Sequence, residues 1–362
     1  MEDLAVTEAF WSGRRVMVTG HTGFKGSWLC LWLQQLGARV AGFALAPPTA
    51  PSLFEAAAVG EGMQSIVGDV RDGGLLATSM RSFEPSVVFH LAAQALVRRS
   101  YEDPLETYST NVMGTAHLLA AVRATTTVRA AVIVTSDKCY DLHVKSERHA
   151  ETDPLGGDDP YSASKAAAEM IVYGYRGLLG RPEPSGLAVA TARAGNVIGG
   201  GDWSQDRLVP DLIAAFRAGR PALIRQPGAI RPWQHVVDPL RGYLMLAQRL
   251  AGDDGADFAQ AWNFGPASAD EQPVSVLADR STELWGGGAT WARDTIAHPA
   301  EAATLRLDST KAADRLGWRA RIGLEAGLQR TIHWYRSWFD GADARALVNA
   351  DIEALTVESV RS

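Results

Sequence analysis

The chain has 362 residues, of which 46% are hydrophobic and 21% charged, enough for one large or two moderate globular domains. This composition excludes a disordered chain, a fibrous repeat and a mini-protein. The formal charge of −6 gives no general attraction for nucleic acid or for an anionic membrane, so we expect the partners to be small molecules.

Targeting and metal-binding signals are absent from the sequence pattern. No apolar run approaches the length of a spanning helix, and the first ten residues carry acids where a secretion signal carries bases, which predicts a soluble, cytoplasmic protein. The two cysteines, Cys30 and Cys139, form neither a disulfide framework nor a zinc-ligand pattern, so we expect no metal.

Strand-type and helical segments alternate along the first two thirds of the chain. Apolar β-type runs lie at residues 15–19, 39–43, 87–91, 130–135, 187–193 and 261–264, and helical periodicity lies between them, as at residues 27–36, 105–123 and 161–179. This alternation predicts an α/β fold, a Rossmann-type doubly wound parallel sheet.

Glycines and prolines interrupt this alternation after Gly199, where we expect a smaller C-terminal substrate-binding domain to begin. We predict a dinucleotide-binding domain over residues 1–198 plus about 231–266, and a substrate-binding domain over about 199–230 and 267–362. The boundaries are discontinuous because the chain crosses between the two parts more than once.

A glycine turn follows the first predicted strand and precedes the first long helix. It comprises Gly20, His21, Thr22, Gly23, Phe24, Lys25 and Gly26. Glycines at this spacing allow the backbone to approach a pyrophosphate at the N-terminus of a helix. Because such turns also occur without a ligand, the prediction of a dinucleotide site depends on the position of the turn in the first βα unit.

The residues after the second predicted strand bear on the choice between NAD and NADP. No acid that could bind the adenosine ribose occurs at residues 43–47, and a 2′-phosphate has no obvious partner unless Lys25 or Arg39 reaches it. We therefore favour NAD. Further predicted cofactor contacts are Asp69 and Val70 at the adenine and Leu91, Ala92, Ala93 and Gln94 at a strand end.

Tyr161 and Lys165 form a Tyr-x-x-x-Lys pair at the start of the helix predicted at residues 161–179. The i, i+4 spacing places both side chains on one helix face, where an ammonium lowers the phenol pKa and lets the tyrosinate take a proton from an alcohol. The pair also occurs by chance, but its place in a Rossmann pattern favours catalysis. Ser136, which follows a predicted strand, is expected to bind the same substrate oxygen.

Six segments resemble the extended short-chain dehydrogenase/reductase family, that is, the NAD-dependent epimerases and dehydratases. They are residues 20–28 (GHTGFKGSW), 108–115 (YSTNVMGT), 135–140 (TSDKCY), 193–203 (RAGNVIGGGDW), 230–236 (IRPWQHV) and 262–266 (WNFGP). The Asp137-Lys138 pair and residues 231–235 resemble the CDP-glucose branch of the 4,6-dehydratases, whereas the dTDP-glucose and GDP-mannose branches carry Asp-Glu.

This resemblance implies a redox-neutral lyase that uses NAD. Hydride would leave carbon 4 of the glucose of CDP-glucose, water would leave across carbons 5 and 6, and the hydride would return to carbon 6. The implied roles are oxidation by Tyr161, Lys165 and Ser136, proton donation by Asp137 to the departing hydroxyl, and removal of the carbon 5 proton by Lys138. The last role requires that burial and Lys165 lower the pKa of Lys138.

The resemblance also implies binding residues and an oligomer. Asn111 would lie at the cofactor site, where it fixes backbone, and Asn196, Arg207 and Arg231 would bind the substrate phosphates or sugar. The helices at residues 105–123 and 161–179 would form a four-helix bundle in a homodimer or a dimer of dimers, with Leu118, Leu119 and Ile171 outside. The chain departs from the family at residues 149–151, where His-Ala-Glu replaces Tyr-Arg-Glu.

Other functions are also compatible with the sequence. A 4-epimerase, or a dehydratase for another nucleotide hexose, would also need the Tyr-Lys pair and NAD, but an epimerase needs no acid–base pair such as Asp137-Lys138. A non-catalytic NAD-binding regulator would be expected to lack Tyr161 or Lys165, and both are present.

Overall fold

The computed structural model describes residues 6–144, 146–179, 186–296 and 304–358. The strands are β1 (Arg15–Thr19), β2 (Arg39–Ala44), β3 (Gln64–Val67), β4 (Val87–His90), β5 (Ala130–Val134), β6 (Ala188–Ala194), β7 (Val197–Ile198), β8 (Ala222–Ile224), β9 (Ile230–Pro232), β10 (Gln234–His235), β11 (Ala261–Phe264), β12 (Glu271–Pro273) and β13 (Trp291–Arg293).

The helices are α1 (Glu8–Trp11), α2 (Phe24–Gln35), α3 (Leu53–Ala56), α4 (Gly73–Phe83), α5 (Val97–Glu102), α6 (Pro104–Tyr108), α7 (Gly114–Ala124), α8 (Pro160–Leu179), α9 (Leu208–Arg217), α10 (Val237–Leu250), α11 (Gly255–Phe258), α12 (Val274–Trp285), α13 (Thr310–Leu316), α14 (Leu324–Phe339) and α15 (Ala344–Glu358). A π turn (Ser109–Met113) joins α6 to α7, and short 3₁₀ turns lie at Asp137–Cys139 and Ser268–Asp270. No helix in these described ranges is long and apolar enough to cross a membrane.

Seven strands form one parallel sheet in the order β11-β6-β5-β4-β1-β2-β3. The strand order reverses around β1, whose Val16 pairs with Val40 of β2 and with Val87 of β4. Every residue of β4 and of β6 is buried, because helices cover both faces of the sheet. The predicted Rossmann-type doubly wound sheet is therefore confirmed.

Two apolar layers stabilise the sheet. One face packs against α2 and α10, and the same apolar cluster extends into α14 and α15 and contains several fully buried tryptophans, Trp28, Trp32 and Trp334 among them. The opposite face packs against α4, α7 and α8. The carboxyl ends of β1, β4, β5 and β6 converge at one edge, and parallel sheets of this kind place their ligand sites at that edge.

The chain beyond residue 199 adds small sheets beside this edge. β7 pairs with β10, β9 pairs with β12, and β8 pairs with β13. Aromatic side chains from two separate segments pack together here: Trp203 contacts the rings of Trp334, Tyr335 and Trp338 of α14. The Tyr335 hydroxyl also donates to the carbonyl of Asp202, which ties α14 to the loop that follows β7.

The structure agrees with all six predicted strands to within one residue and adds strands that were not predicted, among them β3 and the short strands beyond residue 196. β3 was not predicted, because it is a short edge strand of largely exposed residues without an apolar run. The prediction of one regular helix over residues 105–123 was wrong in detail: the π turn interrupts it at Asn111. An inserted π turn changes which side chains face the sheet.

Candidate active site

The glycine turn forms an open cradle in front of α2. Gly20 has φ +75°, and a Cβ there would stand 2.6 Å from the Ala92 nitrogen; a Cβ at Gly26 would stand 2.1 Å from the Gly20 carbonyl oxygen. A Cβ at Gly23 would meet only the Gly20 oxygen, at 3.4 Å. Among the residues that the structure describes, no side chain caps the start of α2, so the first amides of this helix face the opening. The cradle fits the pyrophosphate of a dinucleotide.

His21 and Thr22 support the cradle from behind. The His21 ring is fully buried against Gly42, its Nε2 lies 2.8 Å from Ser65 Oγ, and burial lowers its pKa to about 4. The Thr22 hydroxyl donates to the Leu45 carbonyl at 2.9 Å. These side chains hold the glycine turn against β2 and the segment after it.

Neither candidate cation for a 2′-phosphate lies at the adenosine end of the cradle. Lys25 is near Asp137 and Arg207 instead: burial and the charge of Arg207 lower its pKa to about 7, while Asp137 raises it. Arg39 begins β2 and therefore lies at the opposite edge of the sheet from the cradle. The suggestion that either residue reaches a 2′-phosphate is therefore wrong.

The other predicted cofactor residues lie along the same edge. Asp69 follows β3 and is paired with Arg71, while the neighbouring Val70 is buried against Gly114. Leu91, Ala92 and Ala93 follow β4 and are half-buried beside the glycine turn, and Gln94 is buried.

Asn111 fixes the loop after β4. Its Oδ1 accepts from the Gln94 amide at 2.8 Å, and its Nδ2 donates to the Gln94 carbonyl at 3.0 Å and to Ser164 Oγ at 2.8 Å. The π turn puts this side chain between the loop and α8. Because both the oxygen and the nitrogen of its side-chain amide are hydrogen-bonded, Asn111 positions Gln94 and Ser164.

Tyr161 and Lys165 lie in the first turns of α8, and both are buried. Burial raises the pKa of Tyr161 to about 12, although the hydroxyl of Ser136 lowers it in part. The Lys165 ammonium donates to the Val134 carbonyl at 3.3 Å, and burial lowers its pKa to about 8. The expected lowering of the Tyr161 pKa below its usual value is therefore wrong for the protein without ligands, because the cost of burying a phenolate exceeds the effect of nearby cations.

Residues 136–139, which we call the catalytic turn, contain the predicted acid–base pair, Asp137 and Lys138. Ser136 Oγ donates to Asp137 Oδ1 at 3.0 Å and accepts from the Lys138 amide at 3.2 Å. Asp137 is 3% exposed, and its Oδ2 has no hydrogen-bond partner within the described ranges. Burial raises the pKa of this carboxyl, and the charge of Lys138 offsets part of the shift. A buried carboxyl of this kind is suited to donate a proton.

The two residues after Asp137 differ in their exposure. Lys138 is only half-buried, so the burial that its predicted role requires is incomplete. Cys139 is fully buried, and burial raises the pKa of its thiol, so it is a packing residue and not an activated nucleophile.

Two arginines from the chain beyond residue 199 reach this centre. Arg207 is held by Asp202 at 2.9 Å and lowers the pKa of Tyr161. Arg231, 6% exposed, donates to the Ile230 carbonyl and lowers the pKa of Asp137. Asn196 follows β6 and is half-buried; its carbonyl accepts from the Gln234 amide at 3.0 Å.

Sequence reasoning missed a buried polar network behind the catalytic turn. Glu169 of α8 and Arg193 of β6 form an ion pair at 2.9 Å in which both side chains are 3% exposed. Burial raises the pKa of Glu169, but the hydrogen bonds and charge of Arg193 outweigh it and hold that pKa below its usual value. The available signal was the position of Glu169, four residues after Lys165 on the same helix face.

Comparisons with known proteins agree with this geometry. The family model described as GDP-mannose 4,6 dehydratase matches residues 17–331. A CDP-glucose 4,6-dehydratase of Salmonella typhimurium is 50% identical over 341 residues, which cover 93% of this chain and 95% of that protein. A dTDP-glucose 4,6-dehydratase of Xanthomonas campestris pv. campestris is 29% identical and covers 90% of this chain and 95% of its own.

Solved structures give the same result. DesIV of Streptomyces venezuelae, a dTDP-glucose 4,6-dehydratase with NAD and TYD bound, has a TM-score of 0.75 at 26% identity and covers 89% of this chain and 97% of that chain. An epimerase of Methanothermobacter thermautotrophicus shares the fold, with a TM-score of 0.80 at 21% identity over 94% of this chain and 97% of that one. The resemblance seen in the sequence is confirmed, and the chain belongs to the GDP-mannose 4,6 dehydratase family of nucleotide-sugar dehydratases.

Proposed function

We propose that this enzyme converts CDP-glucose to CDP-4-keto-6-deoxyglucose and water, with NAD as a resident cofactor. The observation that carries the proposal is the buried Asp137 carboxyl, with one oxygen unpartnered in the described structure, on the turn that also presents Ser136 to Tyr161. The residues proposed for oxidation, Tyr161 and Ser136, and the proposed acid for elimination, Asp137, would then contact the same sugar. The relative at 50% identity is named a CDP-glucose 4,6-dehydratase, which supports the choice of nucleotide.

The cradle and its surroundings suit NAD. Gly23 leaves room for a pyrophosphate at the uncapped start of α2, and neither Lys25 nor Arg39 offers a charge to a 2′-phosphate. Leu91, Ala92, Ala93, Asp69 and Val70 line the same sheet edge. When bound there, NAD would supply a two-electron acceptor that later returns its electrons to the same sugar.

Oxidation at carbon 4 is carried out by Tyr161 of α8 and Ser136 at the start of the catalytic turn. Tyr161 takes the proton of the carbon 4 hydroxyl, and the Ser136 hydroxyl holds the same oxygen. A pKa of about 12 means that Tyr161 carries its proton at neutral pH in the protein alone, so the cations around it must favour the phenolate in the complex. Lys165 lies one helical turn away and Arg207 acts on the phenol directly.

Elimination comes next because a ketone at carbon 4 makes the hydrogen on carbon 5 acidic. Asp137 donates its proton to the hydroxyl that leaves carbon 6, and Lys138, once its ammonium has released a proton to water, accepts the proton from carbon 5 as the neutral amine. The raised pKa of Asp137 supports its part of this step. Lys138 is half-buried, so water or substrate has access to its side chain.

Arg207, Arg231 and Asn196 are the proposed substrate contacts. Guanidinium groups suit phosphate oxygens, and both arginines lie near Tyr161 or Asp137. Of the three, Arg207 belongs to the proposed substrate-binding part over about 199–230 and 267–362. Asn196 and Arg231 belong to the proposed cofactor domain, at its borders with that part. We further propose that the enzyme works in the cytoplasm as a homodimer or a dimer of dimers.

The decisive experiment traces a label within one turnover. With CDP-glucose deuterated at carbon 4, we expect the deuterium at carbon 6 of a 4-keto-6-deoxy product, detected by mass spectrometry and by alkali-induced absorbance. Net NADH formation equal to product, or a 4-epimer without loss of water, would contradict the proposal.

A further inference from the structure

The catalytic turn is held at both of its ends. Thr135 precedes the turn and Tyr140 comes after it, and both side chains are buried. Although the two lie on opposite sides of the turn, their hydroxyl groups reach the same buried ion pair, which joins Glu169 to Arg193.

Each end has its own hydrogen bond. Thr135 Oγ1 donates to Glu169 Oε1 at 2.5 Å, and Arg193 Nη1 donates to the Tyr140 hydroxyl at 2.8 Å. The Tyr140 hydroxyl in turn donates to Asn263 Oδ1 at 2.7 Å. Two hydrogen bonds of 2.9 Å from the Arg193 guanidinium to the Glu169 carboxylate complete this hydrogen-bond network.

This hydrogen-bond network connects the residues proposed for oxidation to those proposed for elimination. Glu169 lies on α8, four residues after Lys165 and eight after Tyr161, so the three side chains occupy one face of that helix. The catalytic turn that carries Asp137 is therefore fixed to the helix that carries the proton acceptor for oxidation. Buried charges with all their hydrogen bonds made are costly to separate, which makes the attachment rigid.

We propose that Thr135, Tyr140, Glu169 and Arg193 are positioning residues that hold Asp137 in register with Tyr161. This inference rests on the proposed function and deepens it. Thr135 adjoins Ser136, which serves the oxidation, whereas Tyr140 fixes the end that lies beyond Asp137 and Lys138. Loss of the Tyr140 anchor should therefore disturb elimination while Ser136 remains held through Thr135.

The test compares the two anchors in the enzyme loaded with NAD. We expect Tyr140→Phe to slow elimination roughly tenfold to a hundredfold, since small misplacements of a reacting group cost about this much, and to leave oxidation within about twofold. Thr135→Val should slow both steps, and Thr135→Ser, which keeps the hydroxyl, should restore them.

The readout is which step limits turnover. In Tyr140→Phe, bound NADH should accumulate during a single turnover, the isotope effect of deuterium at carbon 5 should increase, and that at carbon 4 should fall. Thr331→Val is the matched control, because it removes a buried hydroxyl that donates to the Gly327 carbonyl at 2.7 Å in α14. It should lower the melting temperature without changing either isotope effect.

The outcomes separate the two proposals. If the wild-type enzyme transfers label from carbon 4 to carbon 6 but Tyr140→Phe shows wild-type isotope effects, or changes only in stability as Thr331→Val does, the positioning role is overturned and the proposed function stands. If the wild-type enzyme transfers no label with any nucleotide-linked glucose, both are overturned.

Discussion

The Oδ2 atom of Asp137 faces Gly195 so closely that a Cβ at that glycine would stand 3.2 Å from it. The same Cβ would stand 2.4 Å from the ring of Pro232. The residue after β6 thus leaves room for the carboxyl, and within the described chain this oxygen has no hydrogen-bond partner. A carboxyl buried in this way keeps its proton to a higher pH than an exposed one.

Asp137→Asn should allow the first oxidation and block the loss of water. The amide has the shape of the acid but no acidic proton for the leaving hydroxyl, so elimination should slow by roughly a hundredfold to ten-thousandfold. Enzyme-bound NADH should then accumulate and be visible by absorbance in a single turnover. Asp158→Asn, on an exposed loop, is the control. Failure of Asp137→Asn before any NADH forms would assign Asp137 to binding or to the first step.

Tyr161→Phe should remove most activity and keep the fold and the cofactor. The change deletes one buried hydroxyl and with it the proposed proton acceptor at carbon 4, which is worth roughly a hundredfold or more in rate. Turnover and retained NAD should be measured on the same preparation, with Tyr108→Phe, on a half-exposed ring, as the control. A rate near that of the wild-type enzyme would exclude Tyr161 from proton transfer.

Lys165→Met should stabilise the protein without ligands while it abolishes activity. Burial lowers the pKa of Lys165 from 10.5 to about 8, so below pH 8 the folded state bears the full cost of the buried charge, at most roughly 3 kcal/mol. Between pH 8 and 10.5 the unfolded state binds the extra proton, so the wild type gains stability with rising pH and the difference between the two proteins shrinks.

Urea unfolding at neutral pH and near pH 10 measures this effect. Lys138→Met is the matched control, because Lys138 is only half-buried and its replacement removes no comparable cost. If Lys165→Met is less stable than the wild type at both pH values, packing of the lysine stem dominates and the burial cost is smaller than stated.

An exposed apolar face on α6, the π turn and α8 should form the subunit interface. Leu105, Met113, Met170 and Tyr173 are 50% to 79% exposed, although α6 and α8 pack against each other. The residues named from the sequence were wrong: Leu118 and Leu119 are at most 1% exposed under the sheet, and Ile171 is half-buried against the same layer.

The interface is tested by introducing charge on that face. Met170→Arg combined with Tyr173→Glu should convert a dimer or tetramer to monomers by light scattering at micromolar concentration, since charges are poorly tolerated in the centre of an interface. Val276→Arg, an exposed apolar position on α12, should leave the mass unchanged. A monomeric wild-type protein would contradict the prediction.

Local patterns predicted the sheet and the cofactor turn, but not the contacts between distant segments. Apolar runs such as β5 and β6 are unambiguous because both faces are buried. The π turn at Asn111 has no compositional signature, and Leu118, in the helix after it, is buried against the sheet. The pairing of Glu169 with Arg193 joins a helix to a strand, so only the folded chain brings them together.

The electrostatics of the site needed the structure for a different reason. The spacing of Tyr161 and Lys165 correctly predicts two groups on one helix face, but the size of a pKa shift depends on burial. Both side chains are under 9% exposed, and burial moves the phenol pKa up and the ammonium pKa down at the same time. Sequence spacing carries no measure of that burial.

CDP-glucose should have the highest specificity constant among CDP-, dTDP-, UDP- and GDP-glucose, because residues 231–235 and the Asp137-Lys138 pair resemble the CDP-glucose branch. We expect CDP-glucose to bind less tightly because of position 150. The family pattern has an arginine there, whereas this chain has an alanine, whose amide donates to the Asp153 carboxylate. A lost charge-assisted hydrogen bond to phosphate costs roughly 1.5–3 kcal/mol, so the Michaelis constant should be high. Specificity constants for the four nucleotides, measured under one condition, check this order.

Arg231→Ala then separates phosphate binding from acid catalysis. Loss of the guanidinium should raise the Michaelis constant roughly tenfold to a hundredfold. It also removes a charge that lowers the pKa of Asp137, so the carboxyl should hold its proton more firmly and the turnover number should change less than the Michaelis constant. Arg231→Lys should recover part of the binding. If dTDP-glucose matches CDP-glucose, or if Arg231→Ala lowers only turnover, Arg231 and its neighbours do not select the cytidine nucleotide by holding its phosphates.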